Sequence, residues 1–191
     1  ASIKGYSPAS GSGYANQKWA TERNVKSENE GYDYPIIRYA EVLLNYAEAV
    51  FERDDAISDE DLNISLNLVR NRINAKMPKL SNSFVTTYGL NMRDEIRRER
   101  TVELFNEGFR IDDLKRWKTA ETEMPKDFLG IKWKGTEYET KWPNVSYAKN
   151  SEGYIILETG RKWESKHYLY PLPTDQLQLN PNLKQNPGWG E

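Results

Sequence analysis

"DYPIIRYAEVLLNYAEAVFERDD", residues 33–55, is followed after a short turn by "SDEDLNISLNLVRNRINAKMP", residues 58–78. In the first segment Ile36, Ala40, Leu43, Leu44, Ala47, Val50 and Phe51 recur at steps of three and four, which draws one apolar stripe along a helix. Pro35 is expected at the first helical position, where its missing N–H would have no intrahelical partner. The second segment opens on Ser58 with Asp61 three residues on, a capping-box-like start. Its stripe runs through Leu62, Leu66, Val69 and Ile73, and Pro78 stops it. Helices joined by so short a turn are expected to lie antiparallel, as an αα-hairpin of the kind that repeat proteins stack. Ala40 and Ala47 are small enough to let another helix approach closely. Only one clear copy is present, and one hairpin cannot bury both its faces, which implies missing helical neighbours.

A third helix is read in "RDEIRRERTVELFNEGFRIDDLKRW", residues 93–117. Asn91 is placed to cap it, with Asp94 at the third helical position, and Gly108 to end it in the left-handed conformation. Ile96, Arg100 and Leu104 fall in one row at four-residue steps, so an arginine lies between two apolar residues. Pairing is expected between Asp94 and Arg97 or Arg98, Glu95 and Arg98, and Arg100 and Glu103. Residues 93–118 hold eight basic and seven acidic side chains, a self-neutralised set where a phosphate-binding helix would carry excess positive charge. Arg97, Glu99, Arg100, Glu103, Glu107 and Arg110 are therefore read as a partly buried network that serves architecture. The steps Ile111, Leu114, Trp117 predict further helical turns.

Outside these segments the helical period is lost. Residues 1–32 read as loop, with one strand near Tyr14–Trp19. "FLGIKWKGTEYETKWPNVSYAKN", residues 128–150, alternates aromatics with Lys and Glu around Gly135 and reads as a hairpin or an ordered loop. A second strand is expected in "GYIILETGRKWESKHYLYPLP", residues 153–173. The tail, 174–191, is punctuated by Pro181 and Pro187 and is expected to pack as irregular structure.

Composition narrows the chemistry. Across 191 residues, 27 basic side chains against 29 acidic ones give no global pull toward nucleic acid or an anionic membrane. Without cysteine there is neither a disulfide nor a Cys-based zinc site. One histidine, His167, leaves no room for a His-rich metal centre or a His-based triad, and is read as structural. No apolar run reaches the roughly 18 residues of a membrane span. The opening residues lack the form of a signal peptide and of an initiator, and the chain is expected to begin inside a longer protein. The acids Asp54, Asp55, Asp59, Glu60 and Asp61 lack the glycine and spacing of a calcium loop. Asp112 and Asp113 are adjacent, whereas glycosidase carboxyls must face each other across a substrate. The triplets Asn63-Ile64-Ser65 and Asn144-Val145-Ser146 match a glycosylation pattern that chance often supplies. Neither catalysis, a cofactor nor a metal is expected. Six Trp, twelve Tyr and five Phe suit either sugar binding or the pinning of large loops.

Four segments together resemble the C-terminal part of the SusD/RagB family: "DYPIIRYAEVLLNYAEA" (33–49), "LNLVRNRINAKMPKL" (66–80), "RDEIRRERTVELFNEGFRIDDLKRW" (93–117) and "YLYPLPTDQLQLNPNLKQNPGW" (168–189). The resemblance implies a mainly α fold, a superhelix of tetratricopeptide-like helix pairs overlaid by long ordered loops and small β-hairpins. Residues 1–191 would form a single domain, the C-terminal portion of a longer protein. Within it, 33–118 would be helical scaffold, 119–167 a loop and hairpin region, and 168–191 an irregular tail. The resemblance also implies a surface-exposed lipoprotein of the cell outer membrane, with its lipid anchor outside this chain. Such a protein binds oligosaccharide, polysaccharide or sometimes peptide for nutrient uptake, as the lid of a SusC-like TonB-dependent transporter.

Two readings of this segment stay open. In the first it carries a glycan site, best supplied by Trp133, Tyr138, Trp142 and Tyr147 beside Lys132, Lys134 and Asn144. Two or more of Trp133, Tyr138 and Trp142 would then be exposed and line one concavity. In the second it docks on the transporter without a ligand site of its own, and a broader, flatter apolar patch is expected.

Overall fold

A computed structural model of the chain describes residues 11–16, 18, 35–143 and 146–190, with the backbone alone at Ile73. These residues divide into two compact units, one within Arg23–Arg110 and the other within Ala1–Glu22 and Ile111–Glu191. The described chain is mainly helical, with one small two-stranded sheet.

The first unit contains α1 (Tyr39–Asp54), α2 (Asp59–Ile64), α3 (Leu66–Ile73), α4 (Asn82–Thr87) and α5 (Met92–Glu103). Helix α1 packs against α3 and α5 around Leu44, Ala47, Leu62, Leu66, Val69 and Ile96, which are all but closed to solvent. The apolar stripe of α1 holds from Ala40 onward, but Ile36 is 87% exposed and Pro35 lies outside the helix. Arg38 is extended, which places the helix start after it. Its guanidinium donates to both oxygens of Glu107, at 2.8 and 2.6 Å, and to Glu103 at 2.9 Å.

Ser58 caps α2 as expected, its hydroxyl accepting from the Asp61 N–H at 3.0 Å. The single helix expected over this stretch is split at Ser65, whose hydroxyl bonds back to the Asp61 carbonyl. Buried Asn67 then fixes the chain beyond α3: it donates to the Leu80 carbonyl at 2.9 Å and accepts from the Leu80 N–H at 2.8 Å. Both amide groups are satisfied, so the buried polar side chain carries no desolvation penalty left unmet.

Asn91 caps α5 through the Asp94 N–H at 3.2 Å. The helix ends ahead of Gly108, and Asn106 and Gly108 both take the left-handed conformation in the turn that leads to α6 (Arg110–Arg116). Glu95 pairs with Arg98 along the helix as expected. The other charges reach across to different elements. Arg97 donates to Glu52 at 3.0 Å, Arg100 to Asn45 at 2.7 Å, and Arg72 to both oxygens of Glu103 at 2.7 Å. Arg100 also lies over the Phe109 ring, 5.3 Å from its centroid. Arg110 binds the Thr101 hydroxyl at 2.9 Å, and Glu99 lies 3.7 Å from Arg70. The network is built between helices rather than along one.

The second unit holds α7 (Ala120–Glu123), β1 (Phe128–Lys132), α8 (Glu137–Lys141), β2 (Tyr154–Glu158), a 3-10 turn (Ser165–Tyr168) and α9 (Thr174–Leu179). Strand β1 pairs antiparallel with β2, Leu129 opposite Ile156 and Lys132 opposite Tyr154. Of the two expectations for residues 128–150, a hairpin about Gly135 or an ordered loop, the hairpin does not form: that glycine turns the chain into α8, and the partner of β1 lies beyond it. Trp133 and Lys134 both donate their N–H to the Gly153 carbonyl, at 2.8 and 3.1 Å. Gly153 has φ +87°, and a Cβ there would sit 2.5 Å from the Lys134 Cβ, so the close crossing needs glycine. Tyr14 is a single bridge residue near this sheet, and Trp19 lies outside the described residues. The tail contains the short α9 where only irregular structure was expected. Gln185 holds it by bonding the Leu172 N–H and carbonyl at 2.8 and 3.0 Å.

Candidate functional site

Trp133, Tyr138, Trp142 and Tyr147 do come together, on the second unit. Trp133 follows β1, Tyr138 lies in α8, Trp142 caps that helix and Tyr147 precedes β2. Their rings spend faces and edges on one another. Trp142 stacks on Tyr138 with centroids 5.7 Å apart and on Trp133 at 6.1 Å, while Tyr147 meets Trp133 edge-on at 6.0 Å. Trp133 is 2% exposed and forms a small core with Ile131 and Ile155, so its expected role as an open platform is corrected. Tight turns at Gly135 and Gly153 fold the polar flanks outward and leave the indole inside. Tyr138, Trp142 and Tyr147 are half-buried at the rim, and Lys132 and Lys134 are exposed beside them. Asn144 lies outside the described residues.

Elsewhere on the same unit a concavity of about 990 Å³ opens beside the end of α6, bordered by Lys115, Arg116, Lys118, Glu121, Lys166 and Tyr168. Trp163 lies edge-on to His167 at 5.4 Å, and His167 to Trp189 at 5.5 Å. The His167 Nδ1 accepts from the Glu164 N–H at 2.9 Å, in keeping with a structural histidine. Lys166 lies 3.1 Å from Glu164, and its hydrogen bond holds that carboxyl below its ordinary range. The cleft was not read from the sequence, because counting charges over residues 93–118 averaged away their end. Three of the four residues 115–118 are cationic.

Asp113 is buried and bonded to Arg116 at 2.8 Å, while Asp112 is exposed, so the two do not face each other as a catalytic pair. Among the described residues no cluster of His, Cys, Asp or Glu is placed to hold a metal. No helix among them is long and apolar enough to cross a membrane.

The SusD family profile matches residues 2–189. Two solved structures from Bacteroides fragilis NCTC 9343 are similar. A SusD-like carbohydrate binding protein is 30% identical over 78% of this chain and 28% of its own, with a TM-score of 0.63. A SusD-like protein is 30% identical over 81% of this chain and 25% of its own, with a TM-score of 0.57. The chain therefore spans about a quarter of the length of these relatives. A search among curated proteins finds no match. The chain belongs to the SusD family.

Proposed function

We propose that this chain is part of a non-enzymatic glycan-binding subunit of an outer-membrane, TonB-dependent nutrient uptake complex. The observation that carries the reading is the family profile, which runs through both units, together with likeness to a solved carbohydrate binding protein. Sugars present C–H faces to aromatic rings and hydroxyls to polar side chains. Within this chain the rim of Tyr138, Trp142 and Tyr147, backed by Trp133 and flanked by Lys132 and Lys134, offers both. A lipid anchor would hold the protein at the cell surface, beside a SusC-like transporter.

A second reading, docking on the transporter without a ligand site here, is favoured by one face of α1. Tyr39, Val42 and Tyr46 are 72%, 49% and 42% exposed at helical spacing, next to Ile36 and Ile37. That is a broad apolar stripe of the kind expected for a protein contact.

The test is affinity electrophoresis of the intact protein through gels containing a panel of polysaccharides, with melting curves alongside. Trp142→Ala should weaken retention on the bound glycan by about tenfold and, because the ring is only half-buried, cost less stability than loss of Trp133. Trp133→Ala should instead lower stability by about 3–5 kcal/mol, as loss of a buried Trp does. Unchanged retention of Trp142→Ala would shift the assignment of this segment to docking, and co-purification with the transporter would then be the supporting result.

A further inference from the structure

Lys115 lies in the last turn of α6 and Lys118 two residues beyond its end, at φ 57°, and both border the 990 Å³ concavity. Each is held by an aromatic face. The Lys115 ammonium lies 3.8 Å from the Tyr170 centroid and 5.9 Å from that of Trp163, and the Lys118 ammonium lies 4.0 Å from the Tyr168 centroid. Among the described residues neither has a carboxylate within ion-pair distance. Arg116 and Lys166, on the same cleft, are paired with Asp113 and Glu164. Among the described residues the one carboxylate on the border is Glu121, which accepts from the Ser165 hydroxyl at 3.1 Å. A ring orients a cation without neutralising it, so the two lysines keep full positive charges on the cleft border, in a chain whose net charge is −2. Leu169 and Pro187 add apolar wall, and Gly188, at φ +83°, passes so close to Lys166 that a Cβ would lie 2.8 Å from the lysine Cβ. Ligand pockets of about 300–1,000 Å³ suit small molecules, and a concave cationic wall raises the local concentration of anions.

We infer that this cleft binds an acidic unit of a glycan, a sugar carrying a carboxylate or a sulfate ester. Lys115 and Lys118 take the anionic group, and Leu169 and Pro187 lie against the C–H face of the ring. The inference rests on the glycan-binding reading above and specifies the charge of the ligand.

Calorimetry on the intact protein tests it with three probes: oligogalacturonate for carboxylate, dextran sulfate for sulfate, and unmodified dextran as the neutral control. Binding of at least one acidic probe is expected, weakened by added salt. Lys118→Gln, and Lys115→Gln with Lys118→Gln, should reduce that binding by about tenfold or more, while Lys118→Arg retains it. Lys126→Gln with Lys141→Gln, exposed lysines away from the cleft border, should leave it unchanged. Equal loss in that control pair, or acidic binding untouched by Lys118→Gln, would overturn the cleft assignment. Retention of neutral polysaccharides with no acidic binding would sink this inference and spare the glycan-binding reading. No retention of any glycan would end both.

Discussion

Arg38 is the side chain on which the charges of the first unit converge. Its hydrogen bonds to Glu107 and Glu103 raise its basicity well above the ordinary arginine value, against a desolvation cost that acts the other way. The side chains of Glu103 and Glu107 are each about 5% exposed, so removing Arg38 strips a partner from buried carboxylates. Arg38→Ala should cost about 2–4 kcal/mol in chemical denaturation. Arg72, which shares Glu103 but is 57% exposed, should cost less than about 1 kcal/mol when truncated. Equal small losses would show that solvent screens both. Glu99 behaves differently. Burial raises its pKa, and Arg70, Arg98, Glu103 and Glu95 act only secondarily. Its contact with Arg70, at 3.7 Å, is too long for a hydrogen bond. A carboxyl whose folded pKa is raised favours the fold while protonated, and that contribution is lost as pH rises through the raised value. The melting temperature of Glu99→Gln should therefore gain on wild type as pH rises from the ordinary carboxyl value of 4.5. A flat or falling difference would contradict the burial-driven shift.

At the scale of elements, periodicity located helices better than it located their ends. Ala47 is fully buried, in the helix that packs against α3 and α5. Ala47→Leu should overpack that contact and cost about 1–3 kcal/mol, read as a lowered melting temperature; an unchanged one would mean the helices have room to part. The stripe through Ala40, Leu43, Leu44 and Ala47 was legible because one face of a helix must be apolar to be buried. The start at Tyr39 was not, because it depends on Arg38 finding Glu103 and Glu107 far along the chain. Strand pairing was missed for the same reason. Local alternation around Gly135 allowed a hairpin or an ordered loop, whereas the partner of β1 lies past α8, and the Gly153 carbonyl bonding Trp133 and Lys134 closes the end of the pair.

At the scale of the molecule, the sequence by itself determined the mainly helical class, the caps at Ser58 and Asn91, the apolar rows of α1, α2, α3 and α5, and the SusD resemblance. The caps and apolar rows are local signals, readable within one or two turns, and the resemblance is carried by four segments taken together. Tertiary structure decided the rest. It sent Trp133 into a small core and left Trp142 and Tyr138 at the rim, although all three looked alike as aromatics in a polar stretch. It turned the charges of α5 toward partners on α1 and α3. It also gathered Lys115, Lys118 and Tyr168 around one cleft. Burial and charge balance are properties of what surrounds a side chain, and for these residues the surroundings come from segments far away in sequence.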